Sequence, residues 1–146
     1  MISVLLTASL ASGAPAPEPP NEVYRALAQR HDPGCEVVEA NAADPVTALL
    51  EMTEREMPPW VPIRAAACLA TRHTDAVRPQ LEAWVTQPHT KGLMLTVVGL
   101  LDAMPSEHAH ELAELAMTRG SDPAAARLRI LRADDPALRA IAEVSP

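Results

Sequence analysis

The chain has 146 residues, 19 acidic against 12 basic for a formal charge of −7, and 48% apolar residues without a single phenylalanine. That length allows one domain with a sizeable core. A core restricted to Leu, Ala, Val, Met and Ile favours close helix packing over a β-sandwich. The negative charge and the scarcity of aromatic stacking platforms argue against a nucleic-acid partner.

Residues 1–20 stand apart from the rest. Ile2 to Leu10 is a short apolar run, followed by the small residues Ala11, Ser12, Gly13 and Ala14 and then by the stiff stretch PAPEPP. This is the order of a secretory signal: an apolar region, a small-residue cleavage zone and a Pro-rich start to the mature chain. Cleavage is expected after Ala11 or Gly13, within a signal spanning roughly residues 1–11 to 1–14. No Lys or Arg precedes the run, which departs from the usual pattern. The run is too short to cross a bilayer. Export to the periplasm or exterior is therefore expected, without membrane insertion, and the folded domain is assigned to residues 21–146.

Asn21 to His31 reads as a first helix, with Val23 and Leu27 inward and Tyr24 alongside. His31-Asp32-Pro33-Gly34-Cys35 is a turn, and from there to Asn41 the pattern settles no structure. Asp44-Pro45 is a cap followed by a first-turn proline. It opens a helix to about Glu56 that buries Val46, Leu49, Leu50 and Met57, and Pro58-Pro59 ends it. The stretch from Pro59 to Val85 has the clearest pattern. Pro62 suits a first helical turn, and Val61, Ala65, Cys68 and Leu69 form one apolar stripe. Thr74 or Asp75 is positioned to cap a second helix with the stripe Val77, Leu81, Trp84 and Val85. Pro79 lies early in that helix, where a missing donor costs little. The whole is an αα-hairpin. Further along, Thr90 is expected to cap a helix running through KGLMLTVVGLLDAM, apolar on nearly every side. Ser106 is expected to cap the next, with Ala109, Leu112, Ala113 and Ala116 inward. Asp122-Pro123 opens a helix carrying Leu128 and Leu131, and Asp135-Pro136 opens the last, carrying Leu138, Ile141 and Ala142.

The central hairpin resembles a HEAT-type repeat through Pro62, Arg64, Ala65, Ala66, Ala67, Leu69 and Ala70, followed by Asp75, Ala76, Val77, Pro79 and Leu81. The resemblance implies an all-α, right-handed α-solenoid of stacked antiparallel hairpins, here about eight helices. It also implies that the basic residue Arg64 and the acidic residue Asp75 hydrogen-bond within or between repeats. Weaker copies of the unit align Leu69 with Leu101 and Leu131, and Asp75 with Glu107 and Asp135 or Pro136, a period near thirty residues. A lone hairpin cannot bury its stripe, so stacking is needed for stability.

Candidate chemistry is sparse. An even cysteine count in an exported chain favours a disulfide between Cys35 and Cys68. The alternative, Cys35 as a nucleophile beside His31 and Asp32, lacks a clearly basic environment. The histidines sit mostly at helix ends or turns, and His110 with Glu114 supplies only two ligands, too few for a metal site. No paired-carboxylate, Ser-His-Asp or Gly-rich phosphate motif occurs, so no cofactor is expected. The methionines, Met57 among them, read as core filler. Trp84 lies on a buried stripe, whereas Trp60 reads equally as packing or as an exposed anchor for a partner. Together these features point to a monomeric, non-enzymatic protein–protein interaction module or scaffold. An accessory enzyme subunit related to the short HEAT-like lyase subunits is the alternative, marked by a deep pocket with convergent polar groups. A structural envelope component is a third reading.

Overall fold

The computed structural model describes residues 21–144, so the proposed export signal lies outside the described residues. Within that range the chain is helical, with nine α-helices and no strand. They are α1 (Glu22–Ala28), α2 (Cys35–Glu39), α3 (Pro45–Thr53), α4 (Trp60–Arg72), α5 (Thr74–Thr86), α6 (Lys91–Val98), α7 (Ser106–Arg119), α8 (Pro123–Ile130) and α9 (Pro136–Val144). Short 3₁₀ turns at Pro88–Thr90 and Leu101–Ala103 flank α6.

Local chemistry explains most helix starts. The Asn21 side chain accepts the Tyr24 N–H at 2.6 Å, and the Asp44 carboxylate accepts both the N–H and the hydroxyl of Thr47. Asp122 accepts the Ala125 N–H at 3.0 Å, and Asp135 that of Ala137 at 2.8 Å. Proline follows three of these caps, where its missing donor leaves no bond unmade. The carboxylates of Asp44, Asp122 and Asp135 are all held below the usual aspartate range. The leading causes are the Thr47 hydroxyl, the Lys91 ammonium and the Ala137 N–H respectively.

Several expected details differ. The segment after Gly34 is helical, and it accounts for a helix beyond the expected eight. Gly34 sits at φ +82°, a conformation that favours glycine, and its N–H is bonded to the Asp32 carboxylate. Neither Thr74 nor Asp75 caps α5: the buried Thr74 hydroxyl donates back to the Ala70 carbonyl. Thr90 occupies the N-cap position of α6 but its side chain accepts no helix N–H; its hydroxyl faces back toward the carbonyls of Trp84 and Gln87, both at 2.8 Å. Nor does Ser106 cap α7, since Pro105 occupies that position. The expected fourteen-residue helix ends at Val98, and the Leu101–Ala103 turn finishes it.

α4 and α5 form the hairpin read from the sequence, joined by the single residue His73. From there on the helices lie in two files: α4 contacts α6 and α6 contacts α8, while α5 contacts α7 and α7 contacts α9. α3 packs on α4, α5 on α6 and α7 on α8, and α1 reaches α4. The core is one contiguous cluster to which all nine helices contribute. Leu27, Leu49, Met52, Val61, Leu69, Leu81, Val85, Met94, Val97, Leu112, Ile130 and Leu138 are buried there, and Trp84 is 1% exposed. Alanines at 65, 66, 70, 113, 116, 126 and 142 let the helices approach closely. Met57, expected inside, is 71% exposed, because the chain turns away through Pro58 and Pro59 before α4 begins. Leu128 and Leu131 also point out, at 65% and 37%, while Ala126 and Ile130 face the core. No helix among the described residues is long and apolar enough to cross a membrane.

Candidate interaction surface

The residues singled out in the sequence fall into two groups: those that join neighbouring units and those that face outward. Cys35 opens α2 and Cys68 lies on the inner stripe of α4. Their sulfurs are at bonding distance, 2.05 Å, with Cα atoms 5.4 Å apart. With both sulfurs in the bridge, Cys35 has no thiol to serve as a nucleophile.

Arg64 projects from α4 to the end of α1. Its Nη1 donates to the carbonyls of Leu27 at 2.8 Å and Gln29 at 2.6 Å, and its Nη2 to that of Arg30 at 3.2 Å. These carbonyls terminate a helix and lack intrahelical partners, so a planar cation with several donors matches them. Arg64→Ala is expected to lower stability by about 1–2 kcal/mol, reduced from the full charged-bond value because water reaches the site. Lys should recover only part of this, since a single ammonium cannot span three carbonyls. Urea denaturation of the three proteins checks it, and equal midpoints would show that water replaces the guanidinium without loss.

Asp75 does not meet Arg64. Its carboxylate pairs instead with Nε2 of His108, on α7. The Glu39 carboxylate bonds Arg72 at 3.0 Å and His73 at 2.9 Å, and Arg78 pairs with Glu111. Asp102 accepts the N–H groups of Asp134 at 2.8 Å and Asp135 at 3.0 Å, which orients the start of α9. Cys35–Cys68, Glu39–Arg72, Asp75–His108, Arg78–Glu111 and Asp102–Asp135 all join residues 33 apart. These links tie successive helices together, and others join residues at different separations, among them Lys91–Asp122 and His110–Asp135. Leu131, exposed, is not equivalent to the buried Leu69 and Leu101. The missed signal was present in the sequence: oppositely charged residues recur at 33 in Glu39/Arg72 and Arg78/Glu111.

His110 pairs with Asp135 at 3.2 Å and not with Glu114. Among the described residues no three His, Cys, Asp or Glu side chains are grouped to hold a metal.

Trp60, at the start of α4, is 40% exposed, and Ile63 one turn later is 36% exposed. Ile63 opens onto a cleft of about 370 Å³ between the loop after α3, the first turn of α4, the second half of α5 and the start of α6. Glu54 and Glu56 stand on its rim, Gly92 and Leu93 line its far wall, and the buried Trp84 contributes to the lining. A Cβ added at Gly92 would meet only the Ile63 Cδ1, at 3.7 Å, so side chains there enter the cleft without a clash. The volume is at the small end for ligand pockets. It suits one or two apolar side chains of a macromolecular partner.

No family model, curated protein or solved structure matches this chain.

Proposed function

We propose that the chain is an exported HEAT-like α-solenoid that acts as a non-enzymatic protein–protein interaction module. The solenoid reading draws support from the two files of helices and from five links that join residues 33 apart on neighbouring elements. The Cys35–Cys68 pair favours an oxidising compartment. The observation that carries the binding function is the cleft beside Ile63, with Trp60 exposed one turn before Ile63 on α4. Apolar side chains left out of a core, clustered and rimmed by polar groups, mark a docking surface, and tryptophan is the residue type most often energetic in one.

The full chain, purified and immobilised, is expected to retain a specific protein from a periplasmic extract. Ile63→Glu, which places a charge at the cleft mouth, and Gly92→Phe, which fills the cleft, should each release it. Both variants should keep the helical circular dichroism of the parent. Retention of nothing by the parent, or equal retention by both variants, overturns the reading.

A further inference from the structure

α8 is the last helix of the first file among the described residues. Along α8, Ala126 and Ile130 face the core, and the opposite side carries Ala124, Leu128 and Leu131 at positions i, i+4 and i+7. Leu128 is the more exposed leucine of the pair, at 65%. Arg127 and Arg132 flank this stripe, one on each side, and neither makes an ion pair or hydrogen bond through its side chain among the described residues. The outer side of α8 thus presents leucines to solvent.

The cleft beside Ile63 has the reciprocal character. Its apolar parts are Ile63 and Leu93, and the carboxylates of Glu54 and Glu56 stand exposed on the rim. Neither carboxylate has an ion pair or hydrogen bond among the described residues. Arg55, between them in sequence, lines the same cleft and lies over the Tyr24 ring, 5.9 Å from its centroid, and His89 lines the cleft as well. The chain therefore carries a ridge of leucines bordered by unpaired arginines and, elsewhere, a cleft in which Ile63 and Leu93 lie among polar residues and two glutamates are unpaired.

The geometry points to a second copy of this chain as an occupant of the cleft: the α8 ridge of one molecule, Leu128 and Leu131 with Arg127 and Arg132, enters the cleft of the next between Glu54 and Glu56. The inference rests on the docking role proposed for the cleft and departs from the monomer expected from the sequence. The contact joins two different surfaces, so it is heterologous: each molecule keeps one free ridge and one free cleft, and assembly continues beyond a dimer. Opposite charges across the rim set the register and make association sensitive to salt.

Sedimentation velocity of the full chain, across a range of concentrations at low salt, tests it. The expected result is a weight-average mass that rises with concentration past the dimer and falls back as salt is added. Glu54→Arg with Glu56→Arg, and separately Arg127→Glu with Arg132→Glu, should each remain monomeric, with helical content and melting temperature close to those of the parent. The decisive step is to mix them. One variant keeps the basic ridge and the other keeps the acidic cleft, and the reversed ridge and reversed cleft also carry opposite charges, so a heterologous contact is expected to restore an alternating series in the mixture. A parent that stays monomeric at every concentration overturns the inference, and leaves the cleft's role with other proteins to the retention experiment. Loss of assembly in the α8 variant alone indicates ridge-to-ridge pairing and overturns it too. So does a mixture in which both variants remain monomers.

Discussion

Replacing Cys35 and Cys68 together by serine is expected to lower the unfolding free energy by about 4 kcal/mol. The bridge closes a loop with a sequence separation of 33, and chain-entropy arguments assign that much to a loop of this length in the unfolded state. Domains of this size are stable by only about 5–15 kcal/mol, so the variant should melt roughly 10–20 °C earlier. The loss should also be local. α2 packs on α1, and the two reach the remainder of the fold chiefly through α3 and α4. Residues 21–57 should accordingly exchange their amide hydrogens first on reduction, while α5 to α9 keep their neighbours. Identical denaturation curves for the oxidised and reduced chain would show that the bridge adds nothing to the packing already there. Thiol labelling supplies the companion measurement: the protein recovered from an oxidising compartment should expose no free thiol until it is reduced.

Trp84→Ala should be at least as damaging, costing about 3–5 kcal/mol. Trp84 is 1% exposed, among the largest of the fully buried side chains, and it sits on α5 where that helix meets α6. Alanine would remove most of the apolar contact and leave a void beneath the cleft, which closely packed neighbours refill only in part. Trp60→Ala provides the contrast. Its side chain is 40% exposed, so its removal should change stability much less than that of Trp84. Urea titrations of the two variants side by side would separate a packing tryptophan from a surface one. Equal losses would mean that Trp60, too, holds the fold together.

Some features of this protein are dictated within a few residues of sequence. Asn21, Asp44, Asp122 and Asp135 begin helices because a short polar side chain reaches an N–H two or three residues ahead, a relation that needs no distant partner. The α4–α5 hairpin is legible for a similar reason: its two apolar stripes are long and regular, and Trp84 falls on one of them. The even cysteine count already suggested the bridge. The helices expected near Thr74, Thr90 and Ser106 do begin there, but none of the three side chains makes the capping bond, which shows the limit of that local reading. A threonine hydroxyl chooses among whatever acceptors the fold brings near, and for Thr74 and Thr90 those were carbonyls of the preceding helix.

Tertiary structure alone decided which apolar stripes are covered. Leu128 and Leu131 have the spacing of an inward face, but Ala126 and Ile130 on the other side of α8 take the core, and the leucines meet solvent. Periodicity records that a stripe exists, and the presence of a neighbour determines whether it is buried. Met57 is exposed for a related reason: it lies past the end of α3, where the helical period no longer holds. The partners of Arg64 and Asp75 were equally out of reach. An arginine bonded to three carbonyls about 35 residues earlier, and an aspartate bonded to a histidine 33 residues later, depend on how one unit is set against the next. That offset is the sum of helix lengths and turn geometry across a whole unit, and only the packed molecule fixes it.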